Sequence, residues 1–151
     1  MTALAADKAY ISRKREDRAT RLDGTALAAS VFYNGAMVMR NAAGKLVPAT
    51  DTTALVFAGI WDQEAYTVGA ADEDLSVLVG QIEWIAQDGN ITQAMVGKVA
   101  VVLDDQTLTN DTTASAVAPV KVGSIISLET RHGVAGVWTW TGVTDGRLIA
   151  P

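Results

Sequence analysis

From Ser30 to Val143 the chain runs in short apolar stretches of period two, rich in Val, Ile, Trp and Tyr and broken by glycine-containing turns. No other feature narrows the fold as much. Side chains alternate across a strand but recur every three to four residues along a helix, so this pattern selects half-buried strands. β-Branched and aromatic residues suit such a pleated surface. The strand–helix rhythm that a doubly wound sheet needs is missing from the pattern. The pattern predicts an all-β protein, a compact β-sandwich or small β-barrel of about eight short strands.

The predicted strands are Ser30–Tyr33 and Ala36–Arg40 around Asn34-Gly35, Lys45–Pro48 after the turn Asn41 to Gly44, Leu55–Trp61, Leu75–Ala86, Val99–Leu103, Val120–Arg131 and Val137–Val143. Pro48 cannot donate to a ladder, which puts it on an edge or at a strand end. Within Leu75–Ala86 the apolar face changes phase at Gly80-Gln81, the mark of a bulge. Thr92 to Gly97 reads as one helical turn, with an N-cap threonine and a terminal glycine. The acidic stretch Asp62 to Asp74 reads as a solvated connection.

Residues 1–29 are polar and give no convincing apolar face, which predicts an extended N-terminal arm ahead of a β-rich domain over 30–151; a helix over Asp7 to Leu22 is the competing reading. Half of the chain's basic residues, six of twelve, lie in residues 1–23, against four of its seventeen acidic ones. The rest is acidic, and the net charge is −5. Such a body repels phosphates, which argues against nucleic acid as a partner. The basic residues Arg13, Lys14, Arg15, Arg18 and Arg21 suit an acidic protein surface instead.

With 151 residues and no cysteine, one domain is expected, and disulfides, thiolate metal sites and thiol nucleophiles are excluded. The first thirty residues lack a signal-peptide core, and no segment approaches the eighteen apolar residues of a membrane helix, so a soluble protein is expected.

Candidate sites each have a plainer alternative. Asp104-Asp105 ends an apolar run. The pair could be an acid and base, could bind calcium together with Asn110 and Asp111, or could start a surface turn, since Asp bonds readily to its own backbone. The spacing lacks the alternating acids and glycine of an EF-hand loop, and a polar loop is the simpler expectation. The single histidine, His132, sits beside Gly133 in a hairpin turn. Alone it cannot build a zinc site without cysteine, and a hydrolase using it with Asp104 and Asp105 is the most remote reading. Phosphate-cradling glycine motifs and the GxSxG elbow do not occur. Of the four tryptophans at least two should pack inside, while Trp138 and Trp140 are the candidates for an oligomer or partner interface.

Several segments, in order, resemble the phage and prophage proteins that coat icosahedral capsids, known as decoration, cement or minor capsid proteins. They are MTALAADKAYISRKRED, then VFYNGAMVMRNAAGKLVPA over Val31 to Ala49, ITQAMVGKVAVVLDDQTLT over Ile91 to Thr109, and the closing VGSIISLETRHGVAGVWTW. The resemblance implies a β-rich structural protein without catalysis, cofactor or metal. It would bind the outer surface of the virion at junctions between major capsid protein subunits, after assembly in the bacterial host cytoplasm. It would form a homo-oligomer, a trimer by symmetry or else a dimer. The arm residues Arg13, Lys14, Arg15, Arg18 and Arg21 would then touch the shell. The rival class is a carbohydrate-binding β-sandwich that stacks sugars on Trp138, Trp140 and Tyr66.

Overall fold

The computed structural model describes residues 20–110 and 120–141, together with the backbone of 13–14, 143–144 and 147–148. The fold is all-β, as the sequence pattern predicts. In chain order the strands are β1 (Arg13–Lys14), β2 (Thr20–Ala26), β3 (Val31–Phe32), β4 (Met37–Arg40), β5 (Leu46–Pro48), β6 (Val56–Ile60), β7 (Tyr66–Thr67), β8 (Glu73–Val79), β9 (Ile82–Gln87), β10 (Val99–Val102), β11 (Thr107–Thr109), β12 (Lys121–Arg131), β13 (Val134–Thr141), β14 (Val143–Thr144) and β15 (Arg147–Leu148). A 3₁₀ turn, Gln93–Met95, precedes β10; Thr92 flanks it without a side-chain cap. Among the described residues no helix is long and apolar enough to cross a membrane.

Most strands form two rings, while β3 pairs with β7 and β14 with β15 as separate two-stranded sheets. Strands β2-β5-β4-β6-β8 make a closed barrel. The run β9-β11-β10-β12-β13 is joined end to end by a further β9–β13 pairing, with β1 added alongside β9. Strand β4 shows how the rings share a core. Val38 packs with Ala26, Leu46, Ala58 and Val77 of the first ring. Its neighbours Met37 and Met39 point the other way, to Ile85, Val102, Leu108 and Val137 of the second. Both faces of β4 are therefore buried, which is why AMVM reads as a continuous apolar run.

Turn chemistry supports the ring ends. Asn41 accepts the amides of Ala43 and Lys45 on its side-chain oxygen, each at 3.0 Å, and Gly44 takes the positive φ of 78° that this turn requires. His132 and Gly133 both have positive φ, 49° and 76°. This is the two-residue hairpin geometry that matches strand twist, so the lone histidine is a turn residue.

Three sequence expectations are corrected. Gly80-Gln81 is not a bulge within one strand but the step from the first ring to the second. Gly80 N–H donates to the Thr141 carbonyl (2.7 Å) and Thr141 N–H to that of Gln81 (2.9 Å). Secondly, Thr20–Ala26, placed in the arm by its polarity, is a seven-residue strand in register with β8 from Thr20↔Val79 to Ala26↔Glu73. Its main chain bonds while most of its side chains stay exposed, so it has no apolar face for a pattern to show. Thirdly, Arg13 and Lys14 pair antiparallel with Glu83 and Ile82. The competing helix over Asp7 to Leu22 fails for the same reason at both places.

Candidate functional site

The Asp104-Asp105 pair is buried, at 6% and 2% exposure, and so is not a surface loop. Asp104 Oδ1 accepts the Gln106 amide at 3.0 Å, closing an Asx turn between β10 and β11. The Asp105 carbonyl accepts the Met37 amide at 2.7 Å, and Asp104 bridges to Thr50. The pair thus ties the second ring to the first. Asn110 lies beyond the three residues of β11 and donates to the Asn90 carbonyl at 3.0 Å, while Asp111 is outside the described residues. The calcium alternative for Asp104, Asp105, Asn110 and Asp111 therefore falls partly outside the described residues. Among the described residues no three histidine or acidic side chains are grouped to hold a metal ion.

Trp138 and Trp140 are each 4% exposed within a single chain, which corrects their reading as interface residues. Trp138 stands opposite Trp84 across the β9–β13 ladder. Its indole N–H donates to the Glu129 carboxylate, and the Arg131 guanidinium sits 4.8 Å above its ring. Trp84 in turn donates to the Glu129 carbonyl at 3.0 Å. Carbohydrate stacking on these indoles is ruled out by the same burial.

Of the basic residues expected to touch a partner, Arg15 and Arg18 lie outside the described residues, as do the side chains of Arg13 and Lys14. Arg21 is placed on β2, where it grips Asp62 with both terminal nitrogens, at 3.0 and 2.5 Å. The Asp62 side chain is only 2% exposed. Such a fork-to-fork pair is specific and charge-assisted, so the Arg21 charge is committed within the body.

A further cluster of interacting side chains, which polarity alone conceals, is on the first ring along the stretch from Trp61 to Ser76. Phe32 and Trp61 stack at 5.4 Å between centroids, and Tyr66 tilts against Trp61 at 6.2 Å. Carboxylates then fasten the loop. Glu73 accepts the Tyr66 hydroxyl and the Gly69 amide, the latter at 2.9 Å. Asp72 accepts the Lys45 ammonium and the Ala28 amide, again at 2.9 Å for the amide.

Beside this loop are two adjoining hollows of about 570 Å³ and 480 Å³. Gln63 and Leu75 line both. Asp23, Thr25 and Asp74 belong to the larger, Glu64 and Tyr66 to the smaller. The sequence signal available for it was the pair of aromatics, Trp61 and Tyr66, enclosing Asp62-Gln63-Glu64.

The fastenings are pH-sensitive. Bonding to Lys45, then to the Ala28 amide, holds the Asp72 pKa below its ordinary value; bonding to Tyr66, then to the Gly69 amide, does the same for Glu73. The Glu73 carboxylate raises the Tyr66 phenol. A carboxylate depressed in the folded state stabilises above its unfolded pKa, near 4, and loses that contribution as pH falls through the folded value. A raised phenol contributes below about 10 and loses its effect as pH rises beyond. The loop is therefore expected to loosen below about pH 4 and above about pH 10. A fall in the protection factors of the Ala28 and Gly69 amides on the acid side, with exchange corrected for its intrinsic pH dependence, is the measurement, and protection factors unchanged between about pH 6 and about pH 3 would refute the assignment.

No protein-family model matches the chain, nor does any curated protein or solved structure.

Proposed function

We propose that this protein is a structural decoration protein of a phage capsid. On this reading it binds the outer surface of the virion shell at junctions between major capsid protein subunits and stiffens it, without catalysis, nucleic acid, membrane or cofactor. The observation that carries the reading is how the basic segment is fastened. Lys14 pairs with Ile82 on the second ring and Thr20 with Val79 on the first. Between them the chain has five residues where the partner strand has two. Arg15 and Arg18 follow Arg13 and Lys14 in sequence between these two paired positions, and on this reading the four side chains meet the shell from a stretch tethered on either side. A charged segment fixed at both ends loses less freedom on docking than a loose tail and matches an acidic surface in a set register. The segments that resemble capsid-coating proteins also contribute to both rings: β4 and β5 to the first, then β10 and β11 and the β12–β13 hairpin to the second. A homotrimer matches threefold junctions and multiplies weak contacts.

Deleting residues 2–23 would remove part of β2, so charge reversal is the cleaner test. With Arg15→Glu and Arg18→Glu together, affinity for expanded shells is expected to fall roughly ten- to hundredfold, and added salt should weaken the parent protein's attachment. Unchanged occupancy and unchanged heat resistance of the coated shells would count against the proposal. Light scattering should give three times the chain mass of 15.9 kDa; a monomer would remove the trimer.

A further inference from the structure

We infer that the hollows flanking Gln63 form a binding groove for an uncharged oligosaccharide, a role separate from capsid attachment. A sugar chain presents two kinds of surface, hydroxyl edges and flatter C–H faces. A site that holds it needs hydrogen-bonding side chains beside an aromatic plane, set in a concavity. The groove has both. Tyr66 is 38% exposed, and its ring is tilted against Trp61, which lines the same hollow, and held at its hydroxyl by Glu73. A ring already immobilised loses little entropy when a ligand stacks on it.

The polar side chains are equally available. The carboxylates of Asp23 and Glu64 and the carboxamide of Gln63 have no hydrogen-bond partner among the described residues, and all three are exposed. Asp74 takes the Thr25 hydroxyl on Oδ1 at 2.9 Å, and its second oxygen remains to accept a sugar hydroxyl. Carboxylates accept from hydroxyls, and the Gln63 amide both donates and accepts, so a diol can be bridged across the groove. Asp23, Glu64 and Asp74 outnumber the two guanidiniums at the edge, Arg40 against Gly24 and Arg21 at Ser76, so phosphates and uronic acids are disfavoured and an uncharged sugar is the fitting ligand.

The full-length protein, labelled with nitrogen-15, would be titrated with maltohexaose, cellohexaose, mannohexaose and chitohexaose, with hexagalacturonate and hexalysine as charged comparisons. At least one uncharged hexamer is expected to shift the Gln63 side-chain amide and the backbone amide of Tyr66, while hexagalacturonate leaves both in place. Gln63→Ala and Tyr66→Ala should each weaken that binding about three- to tenfold, while Tyr66→Phe, which keeps the ring against Trp61 and loses only the Glu73 anchor, should weaken it by no more than about twofold. If Tyr66→Ala fails to fold, Gln63→Ala decides, since it removes no internal bond. Silence from all four uncharged hexamers, indifference to Gln63→Ala, or tighter binding of hexalysine at the same residues would overturn the inference. Any of these leaves the capsid proposal untouched, because that is read from shell occupancy.

Discussion

Gly123→Ala is expected to destabilise the protein by at least about 3 kcal/mol, lowering Tm by roughly 6 to 12 °C. The glycine sits in β12 between Ala100 on one side and Thr141 on the other. A Cβ built there would lie 1.6 Å from the Trp140 carbonyl oxygen and 2.7 Å from its carbon. These are main-chain atoms of the neighbouring strand, which no side-chain rotation can clear. Relief requires β12 to separate from β13 on the flank where the second ring bends, next to register shifts at Ala100/Val101 and Ile125/Ser127. Thermal and urea unfolding of the purified variant give the answer. An unchanged midpoint would mean that the close approach of the two strands is wrong.

The second large effect separates a core residue from an interface residue. Trp138→Ala is expected to cost about 3–5 kcal/mol of folding stability, the range for emptying a buried aromatic site. The loss should be the same at dilute and high protein concentration, because Trp84, Ala86, Ile82 and Val134 of the same chain surround it. Gly136 is part of this fit, since a Cβ there would come within 2.3 Å of the Trp84 ring. Were Trp138 an interface residue, the variant would keep its monomer stability and change only its assembled mass. Light scattering beside calorimetry distinguishes the two outcomes.

Both predictions involve residues whose sequence neighbourhood shows what they are but not where they face. VWTW reads plainly as a strand with two indoles on one side. Whether that side meets solvent, a partner or another strand depends on Glu129 and Arg131 folding back over Trp138 and on Trp84 arriving from β9. The same gap separates the two readings of Asp104-Asp105. An Asx turn is local and readable; its burial follows from Met37 and Thr50, more than fifty residues away in the chain. Tyr66 was visible as an aromatic in an acidic loop, but its groove needs Asp23 and Thr25 from β2, a strand with no apolar period to announce it.

The amino-acid order alone determined the all-β class, most strand positions, the Asn41–Gly44 turn and the His132-Gly133 hairpin, because each depends on side-chain alternation or on backbone preferences within a few residues. Only the tertiary structure decided the closure into two rings, the recruitment of Thr20–Ala26 and Arg13–Lys14 into sheets, and which polar and aromatic groups became buried. Those outcomes rest on main-chain hydrogen bonds between distant segments. Every residue but proline offers the same amide and carbonyl to such bonds, so they leave no mark on composition or period.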